Sequence, residues 1–131
     1  MKKNRIILLL AVVLWLTSSV SAATIDRIAV RSEAMKKEIP VVVIVPDAAK
    51  SGVRMPVLYL LHGYSGDQET WLNVKPSLPQ MADRDSVIVV CPDGENSWYW
   101  DSPKDPSSRF ETFVARELID YVDAHYPTRG D

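Results

Sequence analysis

Side chains and backbone groups able to do chemistry gather around two short stretches of this 131-residue chain. The first is His62-Gly63-Tyr64-Ser65-Gly66, which follows the apolar run Val57-Leu58-Tyr59-Leu60-Leu61. The second is Ser97-Trp98-Tyr99-Trp100, which follows Val87-Ile88-Val89-Val90-Cys91 and the turn Pro92-Asp93-Gly94. Five apolar residues cut off by a Gly-containing turn read as a strand buried on both faces of a parallel sheet. In open α/β sheets, ligands bind just beyond the carboxyl ends of the strands. The first stretch therefore has two readings. Its backbone N–H groups face a reacting centre, or it is a plain βα turn in which Gly63 and Gly66 supply only backbone freedom. The aromatic stretch has two readings as well: it lines a substrate pocket, or it covers the adjacent sheet edge.

The remaining candidates are weaker. Cys91 ends an apolar run with no His or acid at a useful spacing, which predicts a buried, inert thiol. Ser65 has no neighbouring base in the sequence, so it is read as a cap for the next helix rather than a nucleophile. His125 falls in a helix's last turn, where a His suits the negative end of the helix dipole. Two His and one Cys, far apart, do not make a zinc site, and no cofactor is implied.

Several elements must hold these stretches in place. Thr24–Val30 and Lys36–Val45 read as strands, the second strongly β-branched, joined too closely for anything but an antiparallel pair. Lys50-Ser51-Gly52 reads as a turn. Ser65 or Asp67 can cap a short helix up to Asn73, and Ser77–Arg84 makes a second, because Pro76 and Pro79 break a longer one. The two apolar strands and the helical link between them form a βαβ unit. Arg109–Tyr126 is the clearest helix. Phe110, Phe113, Val114, Leu118, Tyr121, Val122 and Tyr126 make its apolar stripe, and Arg116, Glu117, Asp120 and Asp123 lie in solvent. Ser108 with Glu111 reads as its capping box.

The ordered set from Leu60 to Asp67, then Trp71, Val87 to Gly94, Ser97-Trp98-Tyr99 and Phe110-Glu111-Thr112 resembles the Putative esterase family of α/β-hydrolases. That family includes S-formylglutathione hydrolases (esterase D), tributyrin, feruloyl and acetyl-xylan esterases, and mycolyltransferases. The resemblance implies an α/β fold, a mostly parallel sheet with flanking helices, and acyl transfer from a Ser nucleophile. It implies that the residue after His-Gly, here Tyr64, offers its backbone N–H to the oxyanion. A donor at that position is worth about 3–4 kcal/mol of barrier. It places Ser65, Trp98 and Tyr99 at the substrate. It also makes His62 a turn-fixing residue rather than the base, because the family's catalytic His follows its nucleophile.

The family's nucleophile sits in a Gly-x-Ser-x-Gly elbow, and these residues contain none. The nucleophile Ser, its His and its acid are therefore expected to be absent from this chain. The chain reads as the N-terminal portion of an esterase, inactive alone. Its Val57–Leu61 strand would lack the neighbouring nucleophile strand, leaving an apolar edge prone to aggregation. The rival reading is a non-catalytic carbohydrate-binding or surface protein that keeps the esterase framework.

Residues 1–22 carry the marks of an export signal. Lys2, Lys3 and Arg5 precede the apolar core Ile6–Leu16, and Val20-Ser21-Ala22 supplies small residues for cleavage. The apolar run is too short for a membrane span of about 20 residues. A secreted or periplasmic location follows, with no stable membrane insertion after cleavage. Taking the three signal cations from the 15 Lys and Arg leaves 12 against 17 Asp and Glu, a net charge of −5. An acidic surface without clustered cations argues against a nucleic-acid partner. The expected partner is a small-molecule or polysaccharide-linked ester.

Overall fold

The computed structural model describes residues 22–130. Apart from Ala22, the expected export signal lies outside the described residues. Two strands, β1 (Thr24–Ser32) and β2 (Lys37–Val45), pair antiparallel along their full length, from Thr24 opposite Val45 to Ser32 opposite Lys37. The chain then makes a 3-10 turn at Asp47–Ser51, closed by Gly52 at φ +82°. Strand β3 (Val57–Tyr59), helices α1 (Thr70–Val74) and α2 (Leu78–Asp85), and strand β4 (Ile88–Pro92) follow. Strand order is β1-β2-β4-β3, with β2–β4 antiparallel and β3–β4 parallel. The expected βαβ unit is thus present, and the described sheet is mixed.

β2 and β4 form the doubly buried centre. Val41, Val43 and Val45 face one side with Ile88 and Val90, packing on Phe110, Phe113, Leu118 and Val122. Val42, Ile44, Val89 and Cys91 face the other side, packing on Leu78 and Ala82 of α2. The pleat sends neighbouring residues to opposite faces, so an unbroken apolar run is what a two-sided strand needs. Each fully buried Val or Ile contributes about 1.5–3 kcal/mol. Cys91 belongs to this centre at 1 % exposure. Burial, reinforced by the charge of Glu69, pushes its thiol up to about 12, which keeps it an unreactive thiol at neutral pH.

Four expectations are corrected. The Val57–Leu61 run is not buried on both faces: Leu58 is 46 % and Leu61 37 % exposed. β3 is the edge of the described sheet, with β4 on one side only. Along its other side, a short parallel bridge joins Met55 to Thr128, with Met55 N–H donating to the Pro127 carbonyl and Arg129 N–H to that of Met55.

The second correction concerns the start of the long helix. Ser108 and Glu111 do not cap it. Asp101 does, accepting from the Thr112 N–H at 3.0 Å and the Thr112 hydroxyl at 2.6 Å. A carboxylate reaching in from another segment can satisfy an orphan N–H as well as a local cap can.

Third, the helix is not regular. α3 (Phe110–Thr112) and α4 (Leu118–His125) are joined by a π-helical turn at Phe113–Glu117. Phe113 and Leu118 are five residues apart and both fully buried. An ordinary helix turns about 100° per residue and would put them on different faces; one wider turn aligns them.

Fourth, Glu117 is not simply solvated. It accepts from the Ser32 hydroxyl at 2.6 Å and the Ala34 N–H at 2.8 Å, tying the helix to the β1–β2 turn.

Candidate functional site

The turns leaving β3 and β4 meet beyond the carboxyl ends of these two parallel strands. His62 joins them. Its ring is buried, and the Gly94 N–H donates to Nε2 at 2.9 Å. Nε2 must therefore carry a lone pair, which leaves the proton on Nδ1. Nδ1 donates it to the Gly63 carbonyl at 2.7 Å. Asp93 Oδ1 lies 3.4 Å from Nε2 but accepts from the Glu95 N–H at 2.7 Å. With both nitrogens engaged, His62 is a clamp between two turns and has no free lone pair with which to act as a base.

The clamp positions a cleft of about 100 Å³ lined by His62, Gly63, Tyr64, Asn96, Trp98 and Tyr99 among others. Tyr64, Trp98 and Tyr99 are thereby brought together. Tyr64 is 73 % and Trp98 76 % exposed, and their rings stack with centroids 6.3 Å apart. Tyr99 lies deeper. Its hydroxyl donates to the His62 carbonyl at 3.0 Å, and its ring meets the imidazole edge-on at 5.7 Å. Burial, reinforced by Asp93 and opposed by the bond to His62, pushes its phenol up to about 12, so it stays a neutral donor. Among the described residues the Tyr64 N–H meets no acceptor.

Ser65 does not line the cleft, nor does it cap α1. Nor does Asp67: its carboxylate accepts from the Glu69 N–H at 2.8 Å and its own N–H donates to the Thr70 hydroxyl, which orders the turn ahead of the helix, but no side chain caps α1. Ser65 instead contributes its N–H, which donates to Asn96 Oδ1 at 2.9 Å.

Both turns hold uncommon backbone. Six non-glycine residues have positive φ among the described residues, and four are here: Ser65 (62°), Glu95 (49°), Trp98 (57°) and Tyr99 (57°). Such conformations persist only where surrounding bonds over-determine them, and they concentrate at ligand sites. The bonds are present. The buried Ser97 hydroxyl donates to the Gly94 carbonyl at 2.6 Å and accepts from the Tyr99 N–H at 3.1 Å.

Gly94, Glu95 and Asn96 were missed in the sequence, where Pro92-Asp93-Gly94 reads only as the close of a strand. Gly94 is needed for space: a Cβ there would meet the Tyr99 ring at 2.2 Å. No spacing rule exposes a contact of that kind.

Asp101 anchors the far end of the aromatic loop to α3. Burial pushes its carboxyl up, but the Thr112 hydroxyl and N–H and the Arg109 guanidinium outweigh that, holding it below the ordinary carboxylate range. Arg109 Nε lies 3.1 Å from Asp101 Oδ2 without hydrogen-bond alignment, so this contact is a charge pairing. Asp101→Ala is expected to cost about 1 kcal/mol at neutral pH, as removal of a helix cap does. A depressed folded-state pKa adds stability above the unfolded value that is lost as pH falls through the folded one. The penalty should therefore shrink below about pH 4. Urea midpoints of both proteins between pH 7 and pH 2.5 check this; a pH-independent gap would contradict it.

Residues 32–131 match the Putative esterase family. An acetyl esterase from Caldicellulosiruptor saccharolyticus is 36 % identical over 73 residues, 56 % of this chain and 27 % of that protein. Among solved structures, an S-formylglutathione hydrolase from Agrobacterium tumefaciens superposes with a TM-score of 0.71 at 22 % identity, over 83 % of this chain and 48 % of that one. A ferulic acid esterase from Anaeromyces mucronatus gives 0.64 at 20 % identity, over 84 % and 46 %. At these identities the structures show the fold, that of the α/β-hydrolases. The chain spans about a quarter of the curated relative and less than half of these two structures. With a family match running from the end of β1 to the last residue, the chain belongs to the Putative esterase family of α/β-hydrolases.

Proposed function

We propose that this chain is the N-terminal part of an exported serine carboxylesterase of the esterase D-like type. The observation that carries the reading is the Tyr64 N–H, without an acceptor among the described residues, on a cleft beyond the ends of β3 and β4. A Ser hydroxyl supplied from outside these residues attacks the ester carbonyl while a His takes its proton. The carbonyl oxygen becomes the oxyanion and accepts from the Tyr64 N–H. Collapse expels the alcohol with the proton from His, and water then releases the acid from the acyl-enzyme by the same steps in reverse order. Trp98 and Tyr99 contact the substrate from the cleft wall. Export through residues 1–22 suits an ester carried on a cell-wall or plant polysaccharide. Without the nucleophile, its His and its acid, residues 1–131 turn over nothing alone.

The test compares the full-length product with residues 1–131 on p-nitrophenyl acetate and a fluorophosphonate probe. Full-length protein should hydrolyse the ester and take the label, and the shorter chain should do neither. Failure of both in the full-length protein would overturn the reading. It would leave the rival, a carbohydrate-binding surface, which the outward-facing Tyr64–Trp98 stack favours.

A further inference from the structure

The first turn presents three successive backbone N–H groups, at Tyr64, Ser65 and Gly66, around a left-handed Ser65. Such a run forms a concave nest in which anions are commonly held. Two of the three are already occupied. Gly66 N–H donates to the Gly63 carbonyl at 3.1 Å, and Ser65 N–H donates to Asn96 Oδ1 at 2.9 Å. Only the Tyr64 N–H is left open.

From this arrangement we infer that Asn96 is a positioning residue for the esterase site: its carboxamide occupies the Ser65 N–H and thereby fixes where the Tyr64 N–H points. The inference rests on the proposed esterase reading and deepens it. Asn96 is suited to the task because it comes from the other turn, 31 residues away in sequence. Its own place is set by the left-handed Glu95 before it, whose N–H is held by Asp93, and by the buried Ser97 after it. The Ser65 N–H is thus tied to the same framework that holds His62 and Tyr99. Without Asn96 the nest would have two open donors. An incoming oxyanion could then settle between them, away from the line of attack, and the αL corner at Ser65 would lose the bond that holds it. A reacting atom misplaced by about 1 Å can cost on the order of a hundredfold in rate.

The test uses the full-length protein and two variants, Asn96→Ala and Asn96→Asp. Alanine removes the acceptor; aspartate keeps it while adding a negative charge. Two readouts are taken: the kcat and KM for p-nitrophenyl acetate, and deuterium uptake of the peptide spanning Tyr64–Gly66. In Asn96→Ala, kcat should fall about tenfold to a hundredfold with KM within about twofold, and uptake in that peptide should rise. In Asn96→Asp, uptake should stay at the wild-type level, since Ser65 keeps its partner, whereas kcat falls because a fixed charge opposes the oxyanion. An active wild type with unchanged kcat in Asn96→Ala would overturn this inference and leave the esterase reading standing. So would a matching rise in uptake in both variants. An inactive wild type would instead sink the esterase reading itself, and with it the role given to Asn96.

Discussion

His62→Ala should lower stability by about 3 kcal/mol or more, the largest expected loss from one side chain at this site. The change removes both partners of the clamp at once. The buried Gly94 N–H loses its acceptor, and a buried polar group left unpaired costs about 1–3 kcal/mol, while the exposed Gly63 carbonyl loses one of its two donors and keeps the Gly66 N–H. The Tyr99 ring also loses its edge contact, and a cavity opens in place of the imidazole. Urea unfolding measures the loss directly. His62→Gln is the informative companion, since a carboxamide can accept and donate at similar reach and should recover part of the stability. A loss below about 1 kcal/mol in His62→Ala would mean that the two turns are held by something else. The same variant bears on function. If His62 sets the turns, the proposed esterase should lose kcat in step with cleft order rather than through a missing proton acceptor. Its pH–rate profile should then keep its shape.

How much of this was legible in the sequence depends on the range over which each signal acts. β2 and β4 announce themselves because β-branched runs favour the pleat locally and both faces need apolar residues. The stripe from Phe110 to Tyr126 gave the helix for a similar reason. Which apolar run would lie at the edge was not local information; the expectation of an open edge at Val57–Leu61 came from the family resemblance, through the neighbouring strand these residues lack. Val57–Leu61 and Val87–Cys91 look alike as strings, and only the strand order separates them. The cap of α3 was misread because Asp101 reaches it across a loop, while Ser108 and Glu111 merely have the right spacing. The π turn escaped because Val114 offers a spacing of four to Leu118 and hides the spacing of five from Phe113. At the site, Tyr64, Trp98 and Tyr99 were visible through family resemblance. Asn96 and Gly94 were not, since their roles are contacts across 31 and 32 residues or with a ring folded back over the chain.

Gly94→Ala should cost about 2–3 kcal/mol, even though φ at this residue is not in the left-handed region. The obstacle is space. The new Cβ would lie 2.2 Å from Tyr99 Cε1, 2.6 Å from Cζ and 2.9 Å from Cδ1, distances no structure tolerates. One group has to move, and neither moves freely. The Gly94 N–H and carbonyl are bound to His62 and Ser97, and the Tyr99 hydroxyl and N–H are bound to the His62 carbonyl and Ser97 Oγ. The tyrosine is the weaker partner, because its φ of 57° is already held against its preference. It should swing out, opening the cleft floor and exposing His62. A double-mutant cycle isolates this cause from any general effect of alanine in the turn. Against a Tyr99→Ala background the ring is gone, so Gly94→Ala should cost no more than about 0.5 kcal/mol. Equal penalties in the two backgrounds would place the strain in the backbone instead. In that case Gly94 would be a turn residue, and the floor of the cleft would not depend on it.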